Sequence, residues 1–290
     1  MAAIDAALSW LPDELRVVLR PPESDGGAVV VEGLELGDWE LGPTPASWDQ
    51  ATPDEFDVVM LVLARCAGEP FGWLGQQYGR LVNNIVPARG HEDEQTGASS
   101  STLLCPHTED AFHPWRSNLL LLGCLRNPDR VGTTVASVRR TRLSAGDRET
   151  LSRPTVPILP DASYGDGYTR CAPLATLWSS AAGTTLRYDP AYTPLDDAPP
   201  DFRDAYRRLG DELERVSSTA VLAPGELLLI DNDVVVHGRV PFTARYDGTD
   251  RWLKRVNIRL PERRRRPSEA TESGYGQQLN QPAWRSLVTV

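Results

Sequence analysis

The sequence predicts a mainly β protein with helical cover, and three observations carry that expectation. Short apolar runs of strand length recur along the chain, as in Leu119 to Leu125, Glu226 to Ile230 and Val234 to His237. Turn pairs such as Pro224-Gly225 and Asn232-Asp233 separate them. Helical periodicity is clear in only a few stretches. A sandwich or barrel flanked by helices satisfies all three.

Taken in order, Leu11 to Leu19 reads as a short helix and Ala28 to Val31 as a strand. Thr52-Pro53-Asp54-Glu55 supplies an N-cap, a first-turn proline and a capping-box carboxylate. Phe56, Val59, Met60 and Leu63 come next at helical spacing, so a helix is predicted over about 53–67, ended by Gly68. Glu69 to Arg89 reads as an approach segment rich in aromatic and amide residues. Gly90 to Thr102, polar and rich in Ser, Gly and Glu, predicts a mobile surface loop directly before Cys105 to His113.

Further strands are predicted at Leu119 to Leu125, Thr133 to Val138, Leu174 to Ser179, Thr184 to Tyr188, Ala220 to Leu222, Glu226 to Ile230, Val234 to His237 and Arg251 to Leu260. A short helix is expected at Leu143 to Leu151. A second amphipathic helix is expected at Asp201 to Val216, with Phe202, Ala205, Tyr206, Leu209, Leu213 and Val216 on one stripe. Leu159 to Pro173 predicts a loop, and it or 90–102 could serve as a lid. From about 261 the chain is polar and irregular. No repeat or linker interrupts it, so residues 1–290 read as one domain.

Composition narrows the function. A hydrophobic fraction of 40% allows a sizeable core, and a net charge of −10 argues against a nucleic-acid binder. The Arg263 to Arg266 run sits between Glu262 and Glu269 and reads as a solvated face. Cys66, Cys105, Cys124 and Cys171 form no C-x-x-C pair, which disfavours structural zinc and a disulfide framework. No signal-peptide pattern opens the chain, and no apolar run reaches the ~20 residues needed to span a bilayer. A cytoplasmic protein with reduced thiols and no membrane partner is the expectation.

The chemistry concentrates in Cys105-Pro106-His107-Thr108-Glu109-Asp110-Ala111-Phe112-His113. In an extended chain, residues i and i+2 point to the same face, so His107 and Glu109 can aim at one point. His237, at the end of an apolar run, offers a third ligand. Two His and one carboxylate with coordination positions left open is the facial triad of non-haem Fe(II) oxygenases. His91 lies in the polar loop and reads as solvent-exposed. His113 reads as a supporting or capping group. A satisfied core histidine is the bland alternative for His237.

The stretches His107 to Phe112, Leu122 to Pro128, Thr133 to Ser137, His237 to Phe242 and Arg251 to Val256 together resemble the Fe(II)/2-oxoglutarate-dependent oxygenases of the clavaminate-synthase-like group. Within it the chain looks most like the free amino-acid hydroxylases, among them the arginine 3-hydroxylase of the viomycin pathway and the asparagine 3-hydroxylases. The likeness runs from about Phe71 to Leu260. It implies a double-stranded β-helix, or jelly roll.

The resemblance also implies roles. His107, Glu109 and His237 would hold Fe(II), and 2-oxoglutarate and O2 would be co-substrates. Arg251 would bind the far carboxylate of 2-oxoglutarate, assisted by the hydroxyl of Thr134. Arg255, which shares a strand face with Arg251, would grip the substrate α-carboxylate. Gln76 would contact the α-amino end, with Gln77 in its place if the register slips by one. Asp189 would bind the substrate side chain. Arginine hydroxylases carry a second Asp two residues later, and Ala191 stands there instead.

The implied activity is hydroxylation at C3 or C4 of a free, cationic L-amino acid (arginine, lysine or a guanidino relative) in specialised metabolism, of the kind found in antibiotic biosynthesis. Related halogenases carry a small residue at the carboxylate position, so Glu109 favours oxygenation. Desaturation or cyclisation would begin with the same hydrogen abstraction. A non-catalytic metal-binding jelly roll would have no use for Arg251 and Thr134.

Overall fold

The computed structural model describes residues 2–36, 41–161, 164, 172–180, 183–260 and 277–280. The strands in chain order are β1 (Ala28–Val31), β2 (Glu69–Trp73), β3 (Val82–Ile85), β4 (Leu104–His107), β5 (Leu119–Arg126), β6 (Thr133–Ser137) and β7 (Leu177–Ser180). They continue with β8 (Gly183–Leu186), β9 (Ser218–Ala220), β10 (Leu227–Asp231), β11 (Val235–Arg239), β12 (Trp252–Arg259) and β13 (Leu279–Asn280). The helices are α1 (Ala2–Leu8), α2 (Asp13–Val18), α3 (Glu55–Ala67), α4 (Ala145–Leu151) and α5 (Pro200–Val216).

The large sheet runs β1-β10-β5-β12-β2-β13, with β3 also on β12. The small sheet runs β4-β11-β6-β9, and β7-β8 form a separate hairpin. The expectation of a mainly β protein with flanking helices therefore holds. All strand pairs are antiparallel.

β5 explains why the sequence shows continuous apolar runs rather than strict alternation. Leu120, Leu122 and Cys124 face a core shared with the small sheet and α5. Leu119, Leu121 and Leu125 face a second core against Phe56, Met60 and Leu63 of α3. A strand covered on both faces has no reason to alternate. Gly123 lies where α3 crosses, and a Cβ there would sit 2.6 Å from Met60 Sδ.

β12 divides the same way. Trp252, Val256 and Ile258 face α3, whereas Leu253 joins the core between the sheets. Lys254 points toward α3 and is fully buried. Its Nζ donates to Asp54 Oδ2 at 2.7 Å and also reaches Asp57 Oδ1. These two carboxylates are the capping box of α3: Asp54 accepts from Asp57 N, and Asp57 accepts from Asp54 N. The helix accordingly starts at Glu55, two residues later than predicted, because Asp54 and not Thr52 is its cap. Removing Lys254 would leave two partly buried carboxylates facing each other. Lys254→Ala is expected to destabilise the protein by about 3 kcal/mol, the lower end of the range for a broken buried pair, in a urea unfolding experiment.

Other expectations shift in detail. The predicted helix over Leu11 to Leu19 is the shorter α2, preceded by α1. β2 and β3 lie inside the segment read as an approach to the site. The loop 90–102 was expected to be mobile, yet Ser99 and Ser100 are buried beneath Arg239, whose guanidinium donates to Ser99 O and to Thr102 O, the latter at 2.8 Å. Leu174 makes only an isolated bridge with Val156, and the strand begins at Leu177. Of the loop Leu159 to Pro173, residues 162–163 and 165–171 lie outside the described residues, as does the tail from 261 except for 277–280. The Arg263 to Arg266 run and Cys171 are outside them too. Among the described residues no helix is long and apolar enough to cross a membrane.

Candidate functional site

The small sheet brings the two histidines together. His237 on β11 stands directly opposite His107 on β4, with ring centroids 4.5 Å apart. Gly238 makes this possible, since a Cβ there would meet Leu104 O at 2.4 Å. Glu109 lies just past the end of β4. Its Oε2 is 3.3 Å from His237 Nε2 and 3.8 Å from His107 Nε2. One ligand atom from each of the three residues falls within 4.8 Å of the other two.

The groups around these atoms aim them. His107 Nδ1 lies 2.8 Å from Cys105 O, which fixes the ring and turns Nε2 toward Glu109. Thr108 points the opposite way, as alternation requires. Its backbone N donates to Tyr188 O at 2.7 Å, and its Oγ1 accepts from Tyr188 N at 3.1 Å. Arg255 Nη1 donates to Glu109 Oε1. Glu109 Oε2, by contrast, is buried and accepts no hydrogen bond.

Charge matches the geometry. Burial alone would raise the Glu109 carboxyl, but Arg255 and the two imidazoles outweigh it and hold it well below the usual carboxylate range. Burial also opposes protonation of His107, yet Glu109 and Asp189 prevail and lift it to about 9. Burial and the neighbouring His107 push His237 down to about 4. A metal would displace the proton held by His107; two neutral imidazoles and an ionised carboxylate, one oxygen of which accepts no hydrogen bond, are then a donor set suited to a divalent transition metal with open positions.

The three residues line a cavity of about 450 Å³ between the sheets, together with Gln76, Gln77, Thr133, Asp161, Arg251 and Arg255. Arg251 is buried, and burial and nearby Arg239 lower its guanidinium to about 10. Among the described residues it has no carboxylate partner. Its Nη2 donates to Thr133 Oγ1 at 3.0 Å, and its Nε is buried without an acceptor. A buried cation without a counter-ion is costly, and a bidentate anion would relieve that cost.

The predicted helper Thr134 is not among the residues lining the cavity. Thr134 stands opposite Gly238 and Val135 opposite His237, so Thr134 faces away from the imidazole, whereas Thr133 lines the cavity. One step along a strand reverses the face.

Gln76 and Gln77 both line the cavity but do different things. Gln76 Oε1 accepts from Arg255 Nη2 at 3.2 Å. Gln77 is tied to the backbone of Asn84, accepting at 2.8 Å and donating at 2.9 Å. Asp189 is not among the residues lining the cavity. Its Oδ1 accepts from Ala191 N at 3.1 Å and Tyr192 N at 3.3 Å, and burial raises its carboxyl to about 6. Asp161, inside the predicted loop, does line the cavity. Its loop is a candidate lid in the sequence, but nothing there singles out this carboxylate.

His91 is exposed as expected, but it sits at the cavity and pairs with Glu94 at 2.9 Å. His113 is fully buried, packs on Trp73 and accepts from Trp115 N at 3.0 Å, so it supports the site from behind. Asp110 accepts from Trp73 Nε1 at 2.8 Å and from Tyr164. The predicted loop therefore reaches the residue next to Glu109.

A sequence profile of the family described as Taurine catabolism dioxygenase TauD, TfdA family matches residues 46–257. The chain is 37% identical over 279 residues to enduracididine beta-hydroxylase of Streptomyces hygroscopicus, covering 86% of this chain and 82% of that protein. The solved structure of the non-heme iron oxygenase OrfP with Fe, succinate and (3S)-hydroxy-L-Arg matches with a TM-score of 0.77 and 37% identity over 87% of this chain and 82% of that one. Asparagine oxygenase with Fe(II), 2S,3S-3-hydroxyasparagine and succinate matches with a TM-score of 0.83 and 34% identity over 94% and 88% of the two chains.

Proposed function

The chain belongs to the TauD, TfdA dioxygenase family, and from that premise we propose that it hydroxylates a free, cationic L-amino acid at C3 or C4. It is a non-haem iron, 2-oxoglutarate-dependent oxygenase. The finer fold assignment, a double-stranded β-helix, is part of the same proposal and agrees with two facing antiparallel sheets around the cavity. The observation that carries the reading is the joint presence, in one cavity, of the convergent His107, Glu109 and His237 and of Arg251, which has no carboxylate partner among the described residues.

In this proposal His107 Nε2, Glu109 Oε2 and His237 Nε2 hold the iron. With 2-oxoglutarate and O2, the iron supplies the oxidising power that turns a C–H bond into C–OH. The rest is positioning. Arg251 grips the far carboxylate of 2-oxoglutarate with its fork, and Thr133, rather than Thr134, supplies the adjacent hydroxyl. Arg255 keeps one edge on Glu109. Among the described residues its other edge makes long contacts with neutral amides, 3.2 Å to Gln76 and 3.3 Å to Asn83, and a substrate carboxylate would outcompete them. Burial of these groups excludes water and strengthens each of those contacts.

The cationic end of the substrate needs a carboxylate. Asp189 is the sequence candidate, and its raised carboxyl still ionises at neutral pH. Asp161 lines the cavity directly. The two relatives named for arginine-type and enduracididine chemistry support a guanidino or amino side chain, although Ala191 leaves one expected carboxylate missing.

Asp189→Asn keeps an acceptor for the 191–192 turn and removes only the charge. It is expected to weaken binding of a cationic substrate by about 1.5–3 kcal/mol while leaving a neutral amino acid unaffected, as read by titration calorimetry. Unchanged affinity for the cation would transfer the role to Asp161.

The direct test of the proposal is succinate formation with product mass, using Fe(II), 2-oxoglutarate, O2 and a panel of free amino acids. One oxygen gained by a cationic amino acid, with matching succinate, is the expected result. Loss of two hydrogens would replace hydroxylation by desaturation. No stimulation by any amino acid would remove the substrate class.

A further inference from the structure

The pair Asn232-Asp233 reads in the sequence as a turn between two strands. In the structure Asn232 is fully buried, and its side chain serves the site instead. Its Oδ1 accepts from Glu109 N at 2.9 Å. Its Nδ2 donates to Glu109 O at 3.2 Å, and also to Ser117 O at 2.9 Å and Ser117 Oγ at 3.3 Å. The amide therefore pairs both backbone groups of Glu109, as a neighbouring strand would.

This pairing matters because Glu109 is past the end of β4, and the next residue, Asp110, has φ 52°. The ladder that fixes His107 does not extend to Glu109. Meanwhile Arg255 pulls the Glu109 carboxylate toward β12. Asn232 lies at the entry to β11, and its own backbone N donates to Asn118 O at 2.9 Å. It thus connects the carboxylate residue to the strand that carries His237.

We infer that Asn232 is a positioning residue: its amide holds the Glu109 backbone so that the carboxylate meets the His237 imidazole. This rests on the proposal that His107, Glu109 and His237 bind iron, and adds what keeps the third ligand in register with the other two. Partners that orient ligands characteristically affect metal affinity by about 10–100-fold.

The test compares Asn232→Ala with Asn127→Ala. Asn127 is an amide clamp of the same kind at another turn, donating to Val131 O and Leu222 O and accepting from Val131 N. It touches none of the three ligands. Anaerobic titration with Fe(II), in the presence of 2-oxoglutarate, reads affinity and the visible charge-transfer band, and thermal melting reads stability. Asn232→Ala is expected to bind Fe(II) about 10–100-fold more weakly with a shifted band. Asn127→Ala is expected to melt earlier but keep both. If Asn232→Ala does not fold, Asn232→Asp, which keeps the acceptor for Glu109 N, is read in the same titration. Wild-type affinity and band in the Asn232 variant, or an equal loss in Asn127→Ala, would overturn the inference. No Fe(II) binding by the wild type would overturn the metal assignment itself.

Discussion

Glu109→Ala is expected to abolish 2-oxoglutarate turnover and to weaken Fe(II) binding by more than about 100-fold, beyond the range reached by losing a supporting partner. Two effects combine. One of three ligand atoms is lost, and the buried Arg255 guanidinium loses its only carboxylate partner among the described residues. The second effect also destabilises the fold, because an unpaired buried charge is costly. His237→Ala separates the two, since it removes a ligand and leaves the Arg255–Glu109 pair intact. Both variants should lose Fe(II) in anaerobic titration, and only Glu109→Ala should also lose several degrees of melting temperature in the metal-free state. Retention of Fe(II) by either would remove that residue from the metal centre.

Arg251→Ala is expected to raise the KM for 2-oxoglutarate by about 30-fold or more, the equivalent of at least about 2 kcal/mol of charge-assisted hydrogen bonding. The KM for the amino acid should change little, since Arg255 rather than Arg251 is proposed to face it. Arg251→Lys keeps the charge but loses the fork and should fall between the two. The metal-free variant should fold well, because among the described residues the buried guanidinium has no carboxylate partner to leave behind. Initial-rate kinetics with each substrate varied in turn checks this. A rise in the amino-acid KM alone would exchange the proposed roles of Arg251 and Arg255.

Much of the site was legible because it depends on local rules. The two-residue spacing of His107 and Glu109, and a histidine at the end of an apolar strand, are visible without any partner in view. The strands of the two cores were visible as apolar runs. What the sequence concealed depends on which surfaces meet. β2 and β3 carry Pro70, Gly72, Asn83 and Asn84, which mask a strand pattern, yet Asn84 is buried and accepts from Trp252 Nε1. The serines of 90–102 look solvent-loving until Arg239 is placed above them. Thr133 and Thr134 are equivalent in sequence, and only the pairing of β6 with β11 decides which one faces the cavity. Asn232 has the composition of a turn, and nothing local indicates that its amide pairs with Glu109.

The most direct test of the metal assignment is a crystal structure of the anaerobic complex with Fe(II) and 2-oxoglutarate, with anomalous data collected at the iron edge. The expected result is one anomalous peak bonded to His107 Nε2, His237 Nε2 and Glu109 Oε2. The keto-acid should chelate that peak, and its far carboxylate should lie on Arg251 and Thr133. A peak elsewhere, or a 2-oxoglutarate carboxylate that avoids Arg251, would contradict the account.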